Sequence, residues 1–132
     1  MASIVREFMT TASPSTVWDA ARDAGALHTR LVPGFVVDTK LEPGARIVTF
    51  ANGMTAKELI VGIDDQRRRI AWSAVGGRLT HHNASLTVLA NGDGSRLVWE
   101  ADLLPNELAP VIAQMIDQGC VAMKVALDKL SA

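Results

Sequence analysis

Arg46, Glu58 and His82 are the side chains whose types and placement could do chemistry in an apolar setting. Arg46 and Glu58 fall on two strand-like segments joined across the Asn52-Gly53 turn signal, so they lie on neighbouring strands. A carboxylate in a largely apolar cavity needs such a cationic partner to remain ionised. Paired, the two could orient a polar ligand group or transfer a proton; the plainer alternative is an ion pair that only neutralises itself. His82, whose ordinary pKa lies near neutrality, could serve as acid, base or donor to a ligand carbonyl, or could simply bond a cavity water.

Other chemistries find no support in the spacing. His81 must face away from His82, since successive strand residues alternate, and His28 is remote, so no metal is expected. Cys120 sits mid-helix with no evident His or Asp neighbour, which describes a small buried hydrophobe rather than a nucleophile. There is no nucleophile-elbow pattern. Asn91-Gly92-Asp93-Gly94 links strand to strand, whereas phosphate-binding glycines lead from strand into helix, so it reads as a hairpin turn. No cofactor is expected.

The elements that must hold these groups follow from the pattern. Ser3 to Met9 alternates as a strand, and Ser13-Pro14-Ser15 then starts a short helix from about Ser15 to Arg22. Asp23 is placed to cap a second short helix, Ala24 to Arg30, ended by Pro33-Gly34. Turn signals then recur about every ten residues and delimit six strands, at about Phe35–Leu41, Arg46–Ala51, Thr55–Ile63, Arg68–Val75, Leu79–Ala90 and Ser95–Leu104. Asn106 to Leu130 reads as one amphipathic helix, with Leu108, Ile112, Met115, Ile116 and Met123 on its apolar stripe.

Strand parity puts Ile70, Trp72 and Ala74 inward, then Thr80, His82, Ala84, Leu86 and Val88, then Leu97, Trp99, Ala101 and Leu103. On Thr55–Ile63 parity is ambiguous, because Leu59, Val61 and Ile63 form an apolar set opposite Ala56, Glu58 and Ile60. Composition alone would turn Glu58 outward. A sheet apolar on one face, with one long helix to cover it, tends to leave an internal space. Trp72 and Trp99 could stack on a flat ligand there or be ordinary core packing, while Trp18 anchors the first helix.

The whole composition suits one soluble domain spanning residues 1–132. Thirteen Lys and Arg against fourteen Asp and Glu give a net charge of −1, which argues against a nucleic-acid partner. No apolar run approaches the roughly 20 residues of a membrane span, so no membrane insertion is expected. A single cysteine and an N-terminus without signal-peptide features point to a cytoplasmic protein, and the oligomeric state, monomer or homodimer, stays open.

Read in order, the opening strand, Pro14-Ser15-Thr16-Val17-Trp18, Gly44-Ala45-Arg46, Lys57-Glu58-Leu59-Ile60, Asp64-Asp65, Arg67-Arg68-Arg69, Trp72, Gly76-Gly77, Leu79-Thr80, Asn91 to Ser95, Val98-Trp99 and the final helix resemble the START/Bet v 1-like superfamily. This superfamily, also called SRPBCC, includes polyketide cyclase/dehydrase and lipid-transport-like proteins. The resemblance implies an α+β helix-grip fold: a seven-stranded antiparallel sheet curved around a long C-terminal helix, with two short helices after the first strand. Thr55 to Ser85 is especially similar to plant abscisic-acid receptors and lachrymatory-factor synthase. By that likeness Glu58 faces inward beside Arg46, His82 falls on a cavity position, and Asn52-Gly53-Met54 and Gly76 to Leu79 flank the mouth. The chain lacks the receptors' Ser-Gly-Leu-Pro and His-Arg-Leu loops, so hormone reception is not implied.

The expected function is binding or transport of a small hydrophobic metabolite, polyketide, aromatic or lipid-like. Arg46, Glu58 and His82 would recognise its polar group. Val48, Ile60, Trp72, Leu86 and Trp99 would form the sheet side of the wall, and Leu108, Ile112, Met115 and Ile116 the helix side. A cofactor-independent cyclase, dehydratase or isomerase using Glu58 or His82 is the alternative. A protein-interaction module is the third reading, and it would need an exposed apolar patch.

Overall fold

The computed structural model of the protein describes residues 1–131. Seven strands form one antiparallel sheet in the order β1-β7-β6-β5-β4-β3-β2. They are β1 (Ala2–Thr10), β2 (Val36–Glu42), β3 (Ala45–Phe50), β4 (Thr55–Asp64), β5 (Arg69–Val75), β6 (His81–Asn91) and β7 (Gly94–Leu104). Consecutive strands from β2 to β7 are joined as hairpins, and β1 closes the order by pairing with β7 from Ala2↔Leu103 to Thr10↔Ser95. This is the α+β helix-grip arrangement expected.

Helix α1 (Pro14–Ala21) begins on the Ser13 hydroxyl, which accepts from the Thr16 backbone N–H at 3.3 Å, and Pro14 supplies the preset φ of a first turn. It buries Val17, Trp18, Ala20 and Ala21. Trp18 is its anchor, with the indole Nε1–H donating to Asp65 at 2.9 Å. The second short helix differs from expectation. It is a single π-helical turn, Leu27–Leu31, and Asp23 does not cap it. The Asp23 carboxylate instead accepts from Arg30 at 3.0 Å, so the predicted cap is used to hold the turn's far end.

Helix α2 (Ala109–Leu130) follows a short 3-10 turn, Asn106–Leu108. Its buried residues Ile116, Gly119, Met123 and Leu127 sit on the stripe predicted from spacing. Polar clamps fix it over β1: Arg6 pairs with Asp117 at 2.6 Å, and Thr10 donates to Asp128 at 2.6 Å. Leu97 and Leu103 of β7 and Leu127 of α2 are fully buried. At about 1.5–3 kcal/mol each, such side chains close the β1 and β7 side of the grip.

The β4 ambiguity is resolved by a bulge. Register runs Glu58↔Ala74 and Ile60↔Trp72, then shifts to Gly62↔Ala71 and Ile63↔Ile70. The extra residue switches parity, so Ile63 comes opposite inward Ile70, although at 40% exposure it is no more buried than Leu59. Leu59 and Val61 face out at 41% and 65% exposure, and Glu58 is buried at 9%. The composition-based orientation of Glu58 is therefore wrong, and the inward one implied by the resemblance is right. Thr80 also departs from expectation: it precedes β6 and is exposed.

Candidate functional site

Between the curved sheet and α2 lies a hollow of ≈ 540 Å³. Its closed end is formed by Ala21 and by Leu27, Leu31 and Val32 around the π-helical turn. Its open end lies between Met54 on the β3–β4 loop, Gly76 to Leu79 on the β5–β6 loop, and Val111 on the first turns of α2. Both loops flank the mouth, as the resemblance implied.

Of the predicted wall, Val48, Trp72, Leu86, Trp99, Leu108, Ile112, Met115 and Ile116 surround this space. Ile60 does not. It lies just before the bulge, opposite Trp72 and two register pairs beyond Glu58, and packs against the core. Trp72 and Trp99 meet edge to face, with centroids 6.1 Å apart. Trp99 approaches α2 closely because residue 119 is glycine: a Cβ there would stand 2.8 Å from the Trp99 ring.

Sequence reasoning missed Phe35 and Phe50, which line the hollow and pack edge to face at 5.4 Å. It also missed Leu27, Leu31 and Val32 as wall residues. Their apolar recurrence over one to two turns was the available signal.

Arg46, Glu58 and His82 all border the hollow. Arg46 and Glu58 are directly opposite in the β3–β4 register, and the Arg46 Nε–H donates to Glu58 Oε1 at 2.8 Å. The guanidinium also donates to the Ala24 carbonyl at 3.3 Å and lies 5.5 Å above the Trp72 ring. Glu58 Oε2 has no protein partner. Among the described residues no buried side-chain polar atom is left unbonded, so Oε2 must face open space.

His82 stands where two strands part. The β5–β6 ladder ends at Trp72↔Ala84. Beyond it the Ala74 backbone N–H donates to the His82 ring at Nδ1, 2.9 Å away, in place of a ladder partner. A nitrogen that accepts carries a lone pair, so the neutral ring bears its proton on Nε2. Burial, and secondarily the charge of His81, hold His82 below the ordinary 6.5.

This has a stability consequence. The unfolded chain takes up a proton at His82 as pH falls through about 6.5, whereas the folded one resists until lower. Stability from this group is full above that value and declines as pH drops beneath it. Unfolding midpoints measured from about pH 7.5 to about pH 5 are expected to fall, and His82→Gln to flatten that slope. Asp65, Asp102 and Asp128, held low mainly by bonds from Arg22, Ser3 and Thr10, contribute losses only at more acid pH.

Cys120 is half-buried, with its thiol pushed up to about 11 by burial and then by Asp117, so it is not an activated nucleophile. Among the described residues no cluster of three His, Cys, Asp or Glu could hold a metal ion, and no helix is long and apolar enough to cross a membrane.

Comparison with known proteins fits this geometry. The family profile described as polyketide cyclase / dehydrase and lipid transport matches residues 1–131. The chain belongs to this family. No curated protein matches this family member. Among solved structures, XoxI from Bacillus cereus is 19% identical with a TM-score of 0.87, covering 100% of this chain and 99% of that one. A Thermobifida fusca protein is 24% identical, TM-score 0.77, covering 99% and 93%. Norcoclaurine synthase from Thalictrum flavum is 21% identical, TM-score 0.73, covering 98% and 85%. At these identities the three solved structures establish the fold alone.

Proposed function

We propose that this protein binds or carries a small, mostly apolar metabolite in the hollow between its sheet and α2. The observation that carries this reading is the hollow itself: ≈ 540 Å³ lined mainly by aliphatic and aromatic side chains, with Arg46, Glu58 and His82 as polar groups in the wall. Small-molecule sites commonly run from about 300 to 1,000 Å³ with this composition. The family's description includes lipid transport, and a Thalictrum flavum relative in fold has been captured with dopamine and hydroxybenzaldehyde. The uncharged fluorophore N-phenylnaphthylamine is expected to bind saturably at one site per chain. Absence of saturable binding would remove the reading.

A second reading, cofactor-independent cyclase, dehydratase or isomerase chemistry, is favoured by one feature. Glu58 Oε2 is free to take a proton, while the neutral His82 ring offers one from Nε2. Arg46 would then hold the carboxylate in place rather than touch the reacting atoms. In that case Glu58→Gln abolishes turnover while leaving ligand affinity within a few-fold; unchanged turnover would remove Glu58 as the base.

A further inference from the structure

Glu58, Ala74 and His82 form one row on the inner face. Glu58 is the register partner of Ala74, and Ala74 is bonded through its N–H to the His82 ring. Paired strands lie about 4.8 Å apart and β5 and β6 have parted at His82, so the two polar side chains rise from backbones at least about 10 Å apart. Between them stands only a methyl group. The gap over Ala74 is part of the hollow, and a polar side chain borders it on each side.

The two sides differ in hydrogen-bond sign. Glu58 Oε1 is taken by Arg46, which leaves Oε2 as an unpartnered acceptor. His82 Nδ1 is taken by the Ala74 N–H, which leaves Nε2 as an unpartnered donor. The bond at Nδ1 fixes the His82 tautomer, and the Arg46 guanidinium favours the ionised Glu58 carboxylate, whose second oxygen then accepts. The Glu58 charge is matched by Arg46, so the row offers no net charge to an ionic ligand.

We propose that the hollow selects an uncharged ligand carrying both a hydroxyl-type donor, received by Glu58 Oε2, and a carbonyl-type acceptor, received by His82 Nε2–H, on an apolar frame laid over Ala74. This rests on the ligand-binding reading above. It adds polarity and spacing to that reading: hydroxy-ketones and phenolic ketones fit, whereas plain hydrocarbons, fatty-acid carboxylates and molecules with only one of the two groups are discriminated against. Leaving a buried donor or acceptor unmatched costs more than the paired bond gains, so the discrimination operates against each partial ligand.

Four bicyclic probes of nearly equal shape test it on the unaltered protein by calorimetry: a hydroxytetralone with ketone and phenol on opposite rings, tetralone, tetrahydronaphthol and tetralin. The hydroxytetralone is expected to bind about tenfold more tightly than tetralone or tetrahydronaphthol, and tetralin weakest. In His82→Leu the ketone advantage disappears while the phenol advantage remains; in Glu58→Gln the phenol advantage shrinks. All four probes binding within about twofold of one another would overturn the inference while leaving the binding reading intact. No binding by any of them, N-phenylnaphthylamine included, would overturn both.

Discussion

Glu58→Ala will lower the unfolding free energy by roughly 3 kcal/mol, a fall in midpoint on the order of 10 °C for a domain of this size. Arg46 is left with 3% side-chain exposure, the Ala24 carbonyl and the face of Trp72. Those contacts retain part of its stabilisation, at about 0.5–2 kcal/mol for the aromatic face. They do not replace a carboxylate at 2.8 Å. The loss sits at the low end for a broken buried pair because Oε2 already opens onto the hollow. Removing both charges together, Arg46→Met with Glu58→Leu, is expected to cost less than Glu58→Ala alone, since it strands no charge. Chemical denaturation of the two single variants and the double variant checks this. A single loss under about 1 kcal/mol, or a double variant worse than the sum, would show that the pair is not the buried unit described here.

Gly119→Ala will reduce both stability and cavity binding, although helix propensity by itself favours Ala by about 1 kcal/mol. The added methyl meets the Trp99 ring at 2.8 Å and Phe35 at 3.2 Å. Trp99 is braced by Trp72, so relief requires the indole to tilt into the hollow or α2 to lift from the sheet. Overpacking of this kind costs about 1–3 kcal/mol, which outweighs the propensity gain and gives a net loss of about 1 kcal/mol. N-phenylnaphthylamine affinity is expected to fall about tenfold or more, because a tilted indole takes volume from the site and a lifted α2 pulls its wall away from the ligand. A more stable Gly119→Ala protein with unchanged binding would place Trp99 in a softer environment than the structure shows.

The helix-grip architecture was legible because its signals are local and repeated. Turn residues near Asn52-Gly53, Gly76-Gly77 and Asn91 to Gly94 partition the hairpins, and the apolar stripe from Leu108 to Leu127 defines α2. The direction of Glu58 was not legible from composition. The bulge at Val61 and Gly62 breaks the period of two, so Ile63 supports the wrong face for Leu59 and Val61, and Glu58 looks like a solvent residue. Only the order of motifs along the chain pointed it inward.

Asp23 misled for a related reason: an acidic residue before an apolar run reads as a cap, but the chain offers it Arg30 seven residues on. The role of Ala74 was invisible, since no sequence pattern reports that a ladder stops and an imidazole takes over one of its bonds. Ile60 was assigned to the wall because it shares the face of Glu58, which the resemblance turned inward. Parity gives a face, but not how far along the strand the hollow extends.

Titrating N-phenylnaphthylamine into the unaltered protein and into Ala74→Phe, each checked for a cooperative unfolding transition, tests the central claim most directly. Residue 74 borders the open space between Glu58 and His82, and a phenyl ring there occupies it without removing either polar group. The account predicts saturable one-site binding to the unaltered chain and its loss in a folded Ala74→Phe variant. Equal binding by both proteins would place the ligand elsewhere on the molecule and contradict the account.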